Sequence, residues 1–234
     1  MKSYRTLLHL GGIAAVSYGG LELVSVIIQF IGLKWSMVQV GVTSPDEVLE
    51  IYQNGGFGMA LFVKLISFIF LVPALAGLFA YLSNQSNGLA RIGFYYGLLA
   101  YIIWVMTTFL QAGLVHSLAF QSETASFAMK NDVFHINRII QFLVVPNVVP
   151  YFLFLLCWGW TFKKLEETRH WLVGIFFMST AGLLVLLQLF KFLEYQTTST
   201  IFFMLAVITE AIGFMIVGTV IFNKANEQLT EAAY

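Results

Sequence analysis

Cysteine occurs once, at Cys157, so an intrachain disulfide is impossible. Its neighbours Leu156 and Trp158 set it in an apolar run, which reads as a buried structural thiol; a reactive one needs an electropositive, partly exposed setting. Charge is scarce as well, at 10% of the 234 residues against roughly 25% in ordinary soluble domains. The formal net charge is zero and no basic run exists, so the electrostatic footprint for nucleic acid is missing. The Gly-Gly pairs beginning at Gly11, Gly19 and Gly55 lack the lysine and Ser/Thr partners of a phosphate-binding loop. Neither a serine-nucleophile elbow nor a cysteine pair occurs.

What the chain has in abundance is apolar surface, with hydrophobic residues at 59%. A helix needs about 20 mostly apolar residues to span the hydrocarbon of a bilayer. Six stretches qualify, over residues 7–32, 57–82, 90–118, 135–162, 171–192 and 199–222. The expected fold is an all-α, polytopic six-span bundle, a single transmembrane domain over residues 1–234 with no separate soluble module. Lys2 and Arg5 ahead of the first run imitate a signal peptide. The run is too long for one and lacks a small-residue cleavage site, so an uncleaved span is expected.

Basic residues orient the spans. Lys2, Arg5, Arg91, Lys163, Lys164, Arg169 and Lys224 fall on one side, and Lys34, Lys130, Arg138 and Lys191 on the other. The richer side, with its short Lys163 to Arg169 turn, is expected in the cytoplasm together with both termini. Trp158, Trp160 and Trp171 flank that turn as an interfacial belt would. The connector after the first span then faces outward. Its Ser44-Pro45-Asp46-Glu47 is a helix-start signature and Asn54-Gly55 a stop. A short helix from Pro45 to Gln53 is expected on the outer surface or over the bundle mouth, with Val48, Leu49 and Tyr52 as its apolar stripe.

These features together resemble one bacterial family. They are the six spans, the capped outer segment from Ser44 to Gly56, Gly88-Leu-Ala-Arg-Ile-Gly-Phe opening the third span, Arg169-His-Trp-Leu-Val-Gly after the basic turn, and Ile208-Thr-Glu-Ala-Ile-Gly-Phe in the last. The chain is similar over nearly its whole length to the integral membrane family catalogued as domain of unknown function 4386. That resemblance implies a six-helix protein of a bacterial inner membrane and brings no catalytic residues with it. Lys64 and the Pro146/Pro150 pair stand outside the family pattern.

Polar groups inside the spans are the candidate site, since an ionisable residue in hydrocarbon is costly. Counting the helical rise from each outer end puts Glu22, Asn147 and Thr108 at about 15 Å, Glu210 at about 16 Å, and Lys64 and Gln111 at about 10 Å. In the first span Gly11, Ala15, Tyr18, Glu22, Ser25 and Gln29 share one face, as do Ala60, Lys64, Ser67 and Ala74 in the second and Tyr101, Trp104, Thr108 and Gln111 in the third. These faces are expected to turn inward. Glu22 and Lys64, on consecutive spans, form a natural ion pair, leaving Glu210 as a second carboxylate that takes a proton, a cation or a basic ligand. The trio reads either as a ligand, ion or proton site or as a structural network. Pro146 and Pro150 remove two backbone donors from the fourth span, which predicts a kink or break at Asn147. His9 with His170, and His116 with His135, are the pairs a transmembrane haem would use; no cofactor is expected.

The leading functional expectation is a membrane protein with an outward-opening polar pocket for a small ligand, ion or proton. An accessory subunit contacting other membrane proteins is the alternative. An intramembrane enzyme using Glu22 or Glu210 as base comes third, with no recognisable nucleophile beside either.

Overall fold

The structure is a computed structural model, and it describes residues 2–32, 45–83, 87–119, 127–165, 168–193 and 196–231. Its elements are α1 (Lys2–Gly32), α2 (Pro45–Gln53), α3 (Gly55–Ser83), α4 (Asn87–Ala119), α5 (Phe127–Lys163), α6 (Thr168–Phe192) and α7 (Gln196–Glu231). No strand occurs among the described residues, and all but α2 are long and apolar enough to cross a membrane. This is an all-α, multi-pass membrane protein. Helices are forced on such a sequence, because in hydrocarbon each backbone N–H and C=O must be satisfied within its own segment.

The six spans stand in a ring in chain order, with α7 closing the ring against α1. Bare backbone lets α1 sit tightly between its two neighbours. A Cβ on Gly11 would lie 2.5 Å from the Gly77 Cα of α3, and one on Gly218 of α7 would lie 2.6 Å from the Gly12 carbonyl oxygen. Small residues do this in lipid because close van der Waals packing replaces the hydrophobic drive that water would supply. Aromatic side chains fill the middle of the ring. Tyr18 meets Phe214 edge-on at 4.8 Å, Phe177 meets Phe214 at 5.6 Å, and Phe154 meets Trp158 at 4.6 Å. Such edge-to-face pairs suit the ring quadrupole.

Two expectations change in α5. The helix begins at Phe127, eight residues before the expected boundary, because charged Lys130, Asp132 and Arg138 hid an amphipathic first segment from a hydropathy reading. His135 therefore lies in a helix, where it is exposed. Of the kink or break expected at Asn147, the break does not occur: α5 is a continuous helix through Pro146 and Pro150. Each proline removes one amide donor and its ring crowds the carbonyl four residues back. The rest of the ladder survives on both sides, and Asn147 ties the helix to α4 through a hydrogen bond of 2.9 Å to the Ala100 carbonyl.

The short helix expected after the first span forms, and its apolar stripe is buried. Val48, Leu49 and Tyr52 pack against Leu114 and Leu118 of α4 and Val133 and Ile140 of α5, in a cluster separate from the main core. The expected Ser44 cap lies outside the described residues. Asn54 does more than stop α2: its side-chain oxygen accepts hydrogen bonds from the Gly56 and Phe57 amides at 2.9 and 3.2 Å. It is the N-cap of α3, satisfying amides that the first turn leaves without partners.

Candidate functional site

The inward-facing stripes bring three of the expected residues into one network. Glu22 of α1 is 4% exposed, and its Oε2 lies 3.5 Å from Lys64 Nζ of α3. Ser67, one turn beyond Lys64, donates a hydrogen bond of 2.7 Å to Glu22 Oε1. The ammonium also lies 4.5 Å from the centre of the Trp104 ring of α4, a cation–π contact that replaces part of its hydration. Ser25 closes this layer with a 3.0 Å bond to the Ala60 carbonyl.

Glu210 of α7 makes a second acidic centre. Tyr101 of α4 donates to its Oε1 at 2.5 Å, and the Tyr151 hydroxyl of α5 is within hydrogen-bonding reach. The two centres meet at Tyr18, which lies one turn before Glu22 on the same face of α1 and whose hydroxyl reaches that of Tyr101. Its ring stands edge-on to the Tyr101 ring at 6.2 Å. Glu22, Tyr18, Tyr101, Tyr151 and Glu210 are all buried, so five helices contribute to one dry polar cluster once Lys64 is included.

The other expected residues stand apart from the acids to different degrees. Asn147 is buried beside this cluster, and while its amide nitrogen holds Ala100, its Oδ1 has no hydrogen-bond partner. Thr108 is buried, but its hydroxyl bonds to the Trp104 carbonyl of its own helix at 2.8 Å. Gln111 turns to α2 and hydrogen-bonds Tyr52, whose hydroxyl also donates to Asn137 Oδ1 at 2.9 Å. Burial pushes the Tyr52 phenol up to about 12, and the Gln111 bond offsets part of that rise. Tyr151 is the member that sequence reading passed over. It follows Asn147 by four residues, hence on the same face, but it stands in an aromatic-rich stretch where a tyrosine reads as core.

The histidines are engaged separately. His170 hydrogen-bonds Tyr81 and stacks on Phe162, His9 packs on Phe222 at 4.4 Å, and His116 and His135 are exposed. Among the described residues, no group of three or more His, Cys, Asp and Glu side chains converges. A cavity of about 260 Å³ lies elsewhere, between α1 and α7 towards the N-terminal end of α1, lined by Gly12, Ile13, Val16, Ser17, Thr219, Phe222 and Asn223. It opens on the outside of the bundle and does not contain the acids.

Chemically, the cluster holds two carboxylates against one ammonium. The pair Glu22–Lys64 is balanced, whereas the groups that hydrogen-bond Glu210 are the phenols of Tyr101 and Tyr151. In so low a dielectric an unpaired carboxylate either takes up a proton or draws in a cation. Compared with known proteins, the chain matches no family model, no curated protein and no solved structure.

Proposed function

We propose that this protein binds or moves a small ligand, cation or proton through the polar cluster between α1, α3, α4, α5 and α7, in a bacterial inner membrane with both termini in the cytoplasm. The observation that carries the reading is Glu210, an acid 7% exposed, inside the membrane-spanning bundle and hydrogen-bonded by Tyr101, while the ammonium of Lys64 pairs with Glu22. A purely structural network would gain nothing from a surplus charge, because an uncompensated buried carboxylate costs several kcal/mol. Access is expected from the outer end, where Gln111 and the docked α2 stand above the cluster on α4.

The test is a comparison of the parent with Glu210→Gln in nanodiscs and proteoliposomes. Amide and protonated carboxyl are nearly isosteric, so the substitution should keep thermal stability at neutral pH and abolish the stabilisation or uptake of monovalent cations and small amines, or the response to pH. A variant that melts well below the parent and shows the same pH and cation response would make the cluster structural. The exposed groove between α1 and α7, where Ser17, Thr219 and Asn223 interrupt the lipid face, supports the accessory-subunit reading. Stoichiometric co-purification of another membrane protein, lost in Ser17→Leu, would favour it.

A further inference from the structure

The hydrogen-bond pattern around Glu210 separates the possible cargoes. A metal cation needs a shell of oxygen acceptors, about six or more for calcium or magnesium. The groups that reach Glu210 are phenol hydroxyls, and Tyr101 spends its proton on the carboxylate at 2.5 Å. Aromatic rings occupy the space around them: Tyr101 lies edge-on to Tyr151 at 5.9 Å and to Phe154 at 5.7 Å, and Tyr18 to Phe214 at 4.8 Å. A proton asks for no such shell. It needs one carboxyl oxygen and a line of groups that can each give a proton while taking one. Tyr18 and Tyr101 form that line, with Glu22 one turn from Tyr18 at one end and Glu210 at the other.

We propose that the proton is the cargo of this cluster, that Glu210 carries it, and that the hydroxyls of Tyr18 and Tyr101 relay it between Glu22 and Glu210. The inference rests on the reading of the cluster as a working site. In the transfer the Tyr101 O–H bond breaks as its proton joins Glu210, the Tyr18 proton passes to the Tyr101 oxygen, and protonated Glu22 restores Tyr18. Neither tyrosine changes its net charge, Glu22 ends as a carboxylate and Glu210 as a neutral acid. Lys64 sits at the Glu22 end of this line, its ammonium 3.5 Å from Glu22 Oε2. Ser67 donates to Glu22 Oε1 at 2.7 Å at the same end. When Glu22 takes the proton, the ammonium keeps its contact with Trp104.

The groups facing Glu210 are thus Tyr18 and Glu22 from α1, Lys64 from α3, Tyr101 from α4 and Tyr151 from α5. On α6, Thr180 is buried and bonds Thr209, the chain neighbour of Glu210 on α7, at 2.9 Å.

Infrared difference spectroscopy on the intact protein in nanodiscs tests this without a ligand. Stepping from about pH 9 to about pH 5 should raise a carbonyl-stretch band of a protonated carboxylic acid that shifts in deuterium oxide and is missing in Glu210→Gln. After a rapid pH jump, Tyr101→Phe and Tyr18→Phe, which keep the rings, should slow the rise of that band at least about tenfold. Equal rates in parent and both phenylalanine variants would sink the relay. A band absent from the parent, or surviving in Glu210→Gln, would remove the proton from Glu210. If in that case sodium, potassium or methylammonium still stabilises the parent and not Glu210→Gln, the cluster remains a site with a cation as its cargo. If the variant alters neither response, both readings fail together.

Discussion

Lys64 and Glu22 show what a single pair of side chains can decide in a membrane. Glu22 is buried and Lys64 largely so, at 5% and 12% side-chain exposure, and each is tolerated because the other is there. Removing one partner leaves a charge without compensation, so Lys64→Met or Glu22→Leu alone should cost about 3 to 5 kcal/mol, whereas the double variant should be close to neutral in stability. Thermal unfolding in detergent, arranged as a double-mutant cycle, measures this; additive losses would mean that the two charges do not depend on each other. These residues were legible in the sequence because an ion stands out in an apolar run and consecutive spans make natural neighbours. Direction around the ring was not: Gln111 shares a helix face with Trp104 and Thr108, but its side chain reaches Tyr52 of α2. Tyr151 escaped because a phenol in an aromatic-rich chain carries no mark that separates a hydrogen-bonding role from packing.

At the scale of the element, the short helix α2 is a latch whose parts have different strengths. The Asp46–Lys130 pair is short, at 2.6 Å, but 75% and 33% exposed, so it contributes only about 0 to 1 kcal/mol. The apolar stripe and the buried Tyr52 hold the helix down. Tyr52 makes that docking sensitive to pH in one direction. Its phenol is raised from 10.0 to about 12 by burial, so the docked state binds the proton more tightly than the undocked state. The stabilisation is complete below about pH 10 and is lost as the pH rises towards 12, amounting to about 2 to 3 kcal/mol. The protection of the α2 amides against hydrogen exchange, taken relative to the base-catalysed intrinsic rate, should therefore fall over that interval in the parent and not in Tyr52→Phe. Identical profiles would show that the phenol does not titrate with docking. Helix α5 teaches the opposite lesson about reading elements from sequence. Two prolines in five residues predict a kink or break, yet each removes a single bond from a 37-residue helix, which stays continuous and is tied to α4 by Asn147.

For the molecule as a whole, the ring in chain order links topology to the site. Six spans return the chain to the side on which it began, and closure of α7 on α1 places Glu210 next to the face that carries Tyr18 and Glu22. Hydropathy alone was enough to count the spans, since their mean is dominated by side chains that must avoid water. Closure of the ring was not legible, because it depends on bare backbone at Gly12 and Gly218 meeting across two hundred residues of sequence. The polarity of the bundle rests on a different argument, the division of seven basic residues against four between its two sides. Reporter fusions test the two arguments separately. A reporter behind Tyr234 and one inserted near Asn54, at the junction of α2 and α3, should report opposite compartments, with Tyr234 in the cytoplasm. The same compartment for both would overturn the six-span ring itself. Opposite compartments with Tyr234 outside would keep the ring and invert it, so that α2 and the Lys64 end of the cluster would face the cytoplasm and a proton reaching Glu22 along that side would come from within the cell.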